Sequence, residues 1–532
     1  VAGHETQNWI VRKPIARSRG GVVASQNRIA AQVGARVLAH GGNAVDAAVA
    51  TGFALAAVEP WNSGLGGIGT MLIYSARQDR VSAVDFGPVA PRALKLSDYP
   101  LAGRGKTARD LFPWPAVKDD RNVHGPLSIA VPGLVDGLGL ALERFGTMKL
   151  ETVLEPAIEL AERGLAVDWF VTLKIATLAR ELTRYPAARA LWLPDGFPPV
   201  SAPGAPFERL ELKGLAATLK RLARAGRRDF YEGGIAASLV RDLRKLGARL
   251  GARDLRDYRA RVLEPLAADY RGAQFSVAPH LTAGPSLLRA LEGLRAAAFR
   301  PGGPQADAYL AYARVLRETY QERLASLGDT PRGPRATECT THLNVIDREG
   351  NMAALTQTLL SVFGSKVLLP ATGILMNNGI MWFDPRPGRP NSIAPGKRPL
   401  TNMCPVIVRR GGQPWFAIGA SGGRKILPAV FQIASFLIDH EMNLEDAFRQ
   451  PRLDASGGDT VALDPRLPAA VRQALAAQFP AEEAELAVYP AHYACPSAVL
   501  REPTTGEHFG ATDVMSPWSG AVSEDEAVQP AI

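Results

Sequence analysis

Apolar and polar residues alternate along Glu338-Cys339-Thr340-Thr341-His342-Leu343-Asn344-Val345-Ile346 and again along Met352-Ala353-Ala354-Leu355-Thr356-Gln357-Thr358-Leu359. Between the two runs lies Asp347-Arg348-Glu349-Gly350-Asn351, a turn signal, so the pair predicts a β-hairpin. With Asp347 facing Met352, counting back puts residue 358 or 359 opposite residue 340, and Thr358 is predicted beside Thr340. Helical periodicity appears elsewhere. Residues 25–40 predict a helix with Ile29, Val33, Val37 and Leu38 on one face and Gly41 as its stop. Asn43 reads as the N-cap of the next helix, with Asp46 in its first turn. Residues 44–58 are apolar on most sides, so this helix is expected to be buried, and Pro60 ends it. Residues 127–299 read as helix-rich, with helices at 134–145 and 150–163 and a loop of turn residues at 194–206. A helix at 307–327 runs into a Pro/Gly-rich linker at 328–339. Short strands at 405–409 and 415–419, a Gly-rich turn and a helix at 425–440 follow.

Composition narrows the classes. The 532 residues exceed the usual size of one compact core, so two units or one large layered domain are expected. With 46% hydrophobic and 21% charged residues the chain reads as globular. The net charge of +9 comes mostly from arginines at helical spacing, as in Lys220-Arg221-Leu222-Ala223-Arg224, which read as a solvated helix face. Sparse aromatics and the lack of a nucleic-acid motif argue against a nucleic-acid partner. Three scattered cysteines, Cys339, Cys404 and Cys495, make neither a disulfide framework nor a zinc site, and neither metal nor cofactor is expected. No stretch of ~20 apolar residues predicts a membrane span. Residues 1–21 carry no signal-peptide core, so a cytoplasmic location is expected. A periplasmic or secreted one follows if a leader preceded Val1.

Three candidate chemistries compete. Gly64-Leu65-Gly66-Gly67-Ile68-Gly69 matches a dinucleotide fingerprint, but it follows a helix and precedes a strand, the reverse of what that site needs. A tight turn allowing close backbone approach is the better reading. Gly419-Ala420-Ser421-Gly422-Gly423 fits a nucleophile elbow, with Asp454 or Asp459 and His492 or His508 downstream. Too little chain follows Ser421 to complete an α/β-hydrolase, and the preceding half lacks strand–helix alternation. The third candidate depends on a cut before Thr340. Its free α-amine would then titrate near neutrality and could activate its own hydroxyl. Thr358 could hydrogen-bond that nucleophile. Without a cut the two threonines are ordinary strand residues.

Ordered motifs over nearly the whole chain resemble the γ-glutamyltranspeptidase family. They are Gly41 to Ala48, Gly64 to Gly67, Asp269-Tyr270-Arg271-Gly272, Thr340-Thr341-His342, Thr356-Gln357-Thr358, Phe363-Gly364, Gly373 to Asn378, Pro395 to Leu400 and Gly422-Gly423. The resemblance implies an α+β fold, a four-layer αββα N-terminal-nucleophile hydrolase sandwich, formed jointly by two chains cut from one precursor. Residues 1–339 would be the large subunit and 340–532 the small one, with a dimer of such heterodimers left open. It implies Thr340 as nucleophile, Thr358 as its partner, and the N–H groups of Gly422 and Gly423 as an oxyanion hole. The chain departs from the family in its substrate anchors. The arginine that holds the glutamate carboxylate falls on Gly87, and the serine pair on Thr401-Asn402. The groups that hold the amine fall on Leu360, Gly379 and Trp382, beside Asn378. Leu360, Met381 and Trp382 imply a more apolar pocket, as in the acylase-like branch that includes cephalosporin acylases. The expected activity is hydrolysis of a small-molecule amide through an acyl-enzyme, favoured over transpeptidation. The alternatives are a true γ-glutamyltransferase, a Ser421 hydrolase, and an uncut relative that only binds.

Overall fold

A computed structural model describes residues 13–106, 114–327, 338–483, 494–514 and 516–528. The expected linker lies outside them up to residue 337, as do His492 and the first 12 residues. Two seven-stranded antiparallel sheets form the centre. The first runs, edge to edge, through Ala16–Ser18, His508–Thr512, Cys495–Arg501, Gln413–Ser421, Val406–Arg410, Ala273–Val277 and Leu266–Tyr270. The second runs through Gly520–Ser523, Val22–Ser25, Glu338–Ile346, Met352–Ser361, Ile68–Ser75, Arg80–Phe86 and Arg261–Leu263. The hairpin predicted from alternation thus lies at the centre of the second sheet.

Alternation along each strand builds the layers. On one face of the second sheet Leu343, Val345, Ala353 and Leu355 pack with Val45, Val49 and Phe53 of the helix Ala44–Val58. On the other face Ile346, Met352, Ala354 and Leu72 meet Ile407, Ala417 and Val499 of the first sheet. The outer face of the first sheet, with Phe275, Val408, Phe416 and Ile418, is covered by the helices Gly284–Leu294, Ala306–Leu327 and Ile426–Ile438. The order is helix, sheet, sheet, helix, as the αββα expectation has it.

The helix Ala44–Val58 is buried at every residue, because it lies between the sheet and outer helices. Its start is fixed twice. Asn43 and Asp46 form a reciprocal capping box, and the Ala44 N–H donates to Asp347 Oδ2 at 2.9 Å. The hairpin turn is therefore tied to the helix N-terminus.

Several expectations are corrected. Ser25 ends a strand, and the first helix is Arg28–Ala39, capped by Asn27. Ile29 is 48% exposed, and Ala30, Ala31 and Ala35 join Val33, Val37 and Leu38 on the buried face. The helix-rich stretch contains the strands Leu266–Tyr270 and Ala273–Val277, which pair around the turn at Arg271 and Gly272. In the hairpin Ile346, not Asp347, faces Met352, since the Asp347 N–H bonds the Asn351 carbonyl. Among the described residues no helix is long and apolar enough to cross a membrane.

A polar seam crosses the sheet interface. His342 Nδ1 lies 2.8 Å from Thr356 Oγ1, and its Nε2 lies 3.1 Å from Asn344 Oδ1. Asn344 Nδ2 in turn donates to the Ser497 carbonyl of the first sheet at 2.8 Å. Burial, against a small opposing effect of Asn344, holds the His342 imidazole neutral, with its pKa pushed down to about 3. An unfolded histidine titrates near pH ~6.5, so the unfolded chain binds more protons below that pH. Stability is then fully present above about pH 6.5 and is lost as pH falls toward about 3. Urea titrations of wild type should show this loss between pH ~6.5 and pH ~4. A His342→Gln variant should show a flatter profile there, and be weaker by about 1–3 kcal/mol at neutral pH.

Candidate active site

Thr340 stands where the hairpin ladder is broken. Cys339 pairs with Leu360 and Thr341 with Gln357, so one residue on the first strand opposes two, Thr358 and Leu359, on the second. This is a β-bulge, a feature that re-aims a side chain. It puts Thr340 Oγ1 3.4 Å from Thr358 Oγ1, on the face between the sheets that His342 and Thr356 share. The expectation that residue 358 or 359 faces residue 340 matches this register. Both threonines are buried. Besides the Thr340 hydroxyl, Thr358 Oγ1 accepts the Leu360 N–H at 2.7 Å. That contact needs Leu360 at φ +88°, a strained conformation for a residue with a Cβ.

The turn at residues 64–69 approaches this hairpin backbone to backbone. A Cβ on Gly66 would sit 2.2 Å from the Leu375 carbonyl oxygen, and one on Gly67 2.8 Å from that of Thr358. These glycines allow close backbone packing, Gly67 against the hairpin strand of Thr358 and Gly66 against Leu375, and no dinucleotide geometry forms.

The facing strand Gln413–Ser421 ends at Gly422 and Gly423, both at positive φ (+128° and +54°). The turn that follows, Gly423–Lys425, touches the strand of Thr340. Gly419 has no side chain because the His342 ring occupies the space: a Cβ would lie 2.3 Å from its Cε1. Ser421 Oγ accepts a hydrogen bond from Gln26 Nε2. His508 is not near it. Ser421 pairs with Cys495 and His508 with Arg501, at opposite ends of one strand, about 20 Å apart. Of the two histidines expected as its base, His508 is thus out of reach and His492 lies outside the described residues.

The predicted substrate positions divide in two. Leu360, Met381 and Trp382 do come together, in an apolar cluster with Ile68, Trp114, Leu400 and Met403. Ile68 pairs with Thr358, so the cluster starts beside the Thr340–Thr358 pair. Asn378, in contrast, is spent on structure: its Oδ1 accepts the Ser361 N–H, and its Nδ2 donates to the Val123 carbonyl and Ser361 Oγ. A Cβ on Gly379 would lie 2.8 Å from Ala130 Cβ, so a side chain there needs the packing to move. Gly87, Thr401 and Met403 line a small cavity of about 60 Å³ with Thr70, His280 and Arg398. The Gly87 carbonyl accepts from Tyr258 and from Arg398, whose guanidinium stands 3.6 Å from Asp85. Thr401 donates to the Leu281 carbonyl, while Asn402 Nδ2 is buried with no partner among the described residues. Sequence reasoning missed Trp114 and Met403. Neither sits in a motif, and only the fold brings them to Leu360. Arg398 lay inside a quoted motif, but nothing in its spacing tied it to Gly87. No three His, Cys, Asp or Glu side chains are grouped as metal ligands among the described residues.

Two face-to-face antiparallel sheets between helical layers, with a hydroxyl nucleophile candidate on a central strand, define an N-terminal-nucleophile hydrolase architecture. The profile of one family, gamma-glutamyltranspeptidase, matches residues 30–338 and 331–516. The chain belongs to that family of enzymes. It is 34% identical over 506 residues to the acylase ACY 1 proenzyme of Pseudomonas sp. (strain SE83), covering 88% of each chain. It is 31% identical over 488 residues to the glutathione hydrolase proenzyme of Escherichia coli (strain K12), covering 82% of this chain and 81% of that one. Its fold superposes with a TM-score of 0.84 on the cephalosporin acylase of Bacillus halodurans, at 24% identity, covering 98% and 99%. The likeness thus leans to the acylase-like members.

Two substitutions test the local geometry. Gly66→Ala should cost about 2 kcal/mol or more, since its Cβ would meet a backbone oxygen; thermal unfolding measures this. Leu360→Asn should lower the melting temperature, because the lost burial in the apolar cluster, about 2–5 kcal/mol, outweighs the roughly 1–2 kcal/mol relieved at its positive φ. An unchanged or raised melting temperature would place the larger cost in the backbone strain instead.

Proposed function

We propose that the protein cuts its own chain before Thr340 and then hydrolyses a small acyl-amide with that threonine. The observation that carries this reading is the bulge that presents the Thr340 hydroxyl to Thr358 beside the Gly422–Gly423 turn. That relatives bear the name proenzyme supports the cut. In the uncut chain Thr340 Oγ adds to the carbonyl carbon of residue 339. As that ester forms the C–N bond breaks, and the hydroxyl proton ends on the new amine. Water then opens the ester, leaving residues 1–339 and 340–532 as two associated chains.

In the cut enzyme the amine takes the Thr340 proton as the hydroxyl attacks a substrate amide, then passes it to the leaving nitrogen. The Gly422 and Gly423 N–H groups face the developing oxyanion, and such donors are worth ~3–4 kcal/mol each. Water resolves the acyl-enzyme. No residue in this scheme calls for a metal or organic cofactor.

The acyl group would lie against Leu360, Trp382, Met381 and Met403. A free γ-glutamyl group carries a charged amine, and a buried charge without its partner costs roughly 3–5 kcal/mol. An acyl group without an α-amine suits this wall better, in line with acylase ACY 1 and cephalosporin acylase among the similar proteins. A second reading, a γ-glutamyl donor, draws on Arg398, which stands beside Gly87 and could meet an α-carboxylate.

Anilides of glutaryl, aryl-acyl and γ-glutamyl groups, assayed with and without an acceptor dipeptide, separate these. The expected order puts the acyl groups lacking an amine first, with little gain from the acceptor. A γ-glutamyl preference with acceptor stimulation would support the second reading. Thr340→Ala should lower turnover of the best substrate by about a thousandfold or more, and Ser421→Ala should not.

A further inference from the structure

The turn at residues 59–63 follows the buried helix Ala44–Val58 and has no part in the chemistry described so far. It touches both strands of the hairpin at the bulge. On the second strand, the ladder is interrupted at Leu359, and the Leu359 N–H goes instead to the Asn62 carbonyl at 2.8 Å. Two residues after the strand ends at Ser361, the Phe363 N–H goes to the Trp61 carbonyl at 2.8 Å. On the first strand, Thr341 points to the helical side, opposite to Thr340, and meets the carboxyl of Glu59. Glu59 is 4% exposed and Thr341 fully buried. Glu59 Oε1 accepts from Asn62 Nδ2 at 2.6 Å. Its Oε2, the Thr341 hydroxyl and Asn62 Oδ1 are all buried with no hydrogen bond of ordinary geometry among the described residues, which leaves the carboxylate oxygen and the hydroxyl facing each other.

We propose that Glu59 is a positioning residue for self-cleavage: through the Thr341 hydroxyl, and with Asn62, it holds the bulge that aims Thr340 at the carbonyl of residue 339. Neighbouring residues on a strand point to opposite faces, so pinning Thr341 toward the helices keeps Thr340 on the catalytic face. The hold strengthens when Glu59 is ionised, because a hydroxyl donates more strongly to a carboxylate than to a carboxylic acid.

Burial, opposed by Thr341 and then by the charge of Lys174 and by Asn62, pushes the Glu59 pKa up to about 7. Lys174, from the helix Trp169–Ala176, is the charged group facing it; Thr341 and Asn62 are the polar ones. A raised carboxyl pKa means the carboxylate, and with it the hold on Thr341, is gained as pH rises through about 7. The cleavage rate should rise with it.

The inference rests on the Thr340 reading, and its test separates the two. Pulse-labelled chain made in a cell-free system is followed from uncut to cut across about pH 5.5 to pH 8.5. Wild type should cleave faster with rising pH, with a midpoint near 7. Glu59→Gln should cleave about tenfold more slowly and lose that rise. Thr341→Val should do the same, the double variant should be no slower than either single one, and Thr341→Ser should restore both rate and profile. The Thr341 pair carries the test if Glu59→Gln does not fold. Glu59→Gln or Thr341→Val cleaving at the wild-type rate with the wild-type profile, while Thr340→Ala stays whole, overturns the role of Glu59 alone. Cleavage of Thr340→Ala at the same junction overturns the reading beneath it.

Discussion

The His342 imidazole, seated where Gly419 has no side chain, is the contact on which the site depends. A ring placed between two sheets fixes their spacing and their register at once, because neither strand can slide without driving the ring into a Cβ or out of its hydrogen bonds. It lies two residues from Thr340 on one strand and three residues from Gly422 on the other. The same contact that joins the sheets therefore sets the candidate nucleophile against the candidate oxyanion turn. The ring does this as a neutral group. A charge there would be buried between two apolar layers with no carboxylate to meet it.

Around that contact the backbone is held in conformations that ordinary packing would not select. Leu360 sits at φ +88°, Gly422 and Gly423 are both at positive φ, and a ladder bond is exchanged for one to Asn62. The positive φ costs free energy at Leu360, while the glycines adopt it without a Cβ to clash and Leu359 keeps a hydrogen bond in exchange. The strain is borne by what surrounds it: the fully buried helix Ala44–Val58, its double N-terminal anchor on Asn43 and Asp347, and the glycine turn pressed against the hairpin.

Local signals carried much of the fold. The hairpin, the buried helix with its capping box, the helices Leu134–Phe145 and Leu150–Arg163, and the strand leading to Ser421 all lie near their expected bounds. Alternation and capping are properties of neighbouring residues, so they can be read in order. What could not be read depends on distant partners. Val22–Ser25 is a strand because Glu338–Ile346 and Gly520–Ser523 lie on either side of it, and Leu266–Tyr270 because Ala273–Val277 turns back on it. The site divides the same way. That Thr358 lies beside Thr340 followed from counting along a hairpin, and the role expected of the pair from the family resemblance. The apolar wall around Leu360 needed Trp114 and Met403, which stand in separate loops far from Leu360 in sequence. Asn378 also ties Val123 to Ser361, a role visible only once those groups are in place.

The account stands or falls on the junction between residues 339 and 340. Mass analysis of fully active protein, with N-terminal sequencing of the smaller piece, addresses it directly. The predicted result is two chains, the smaller beginning Thr340-Thr341-His342. Full activity from a chain still joined at that bond would contradict it.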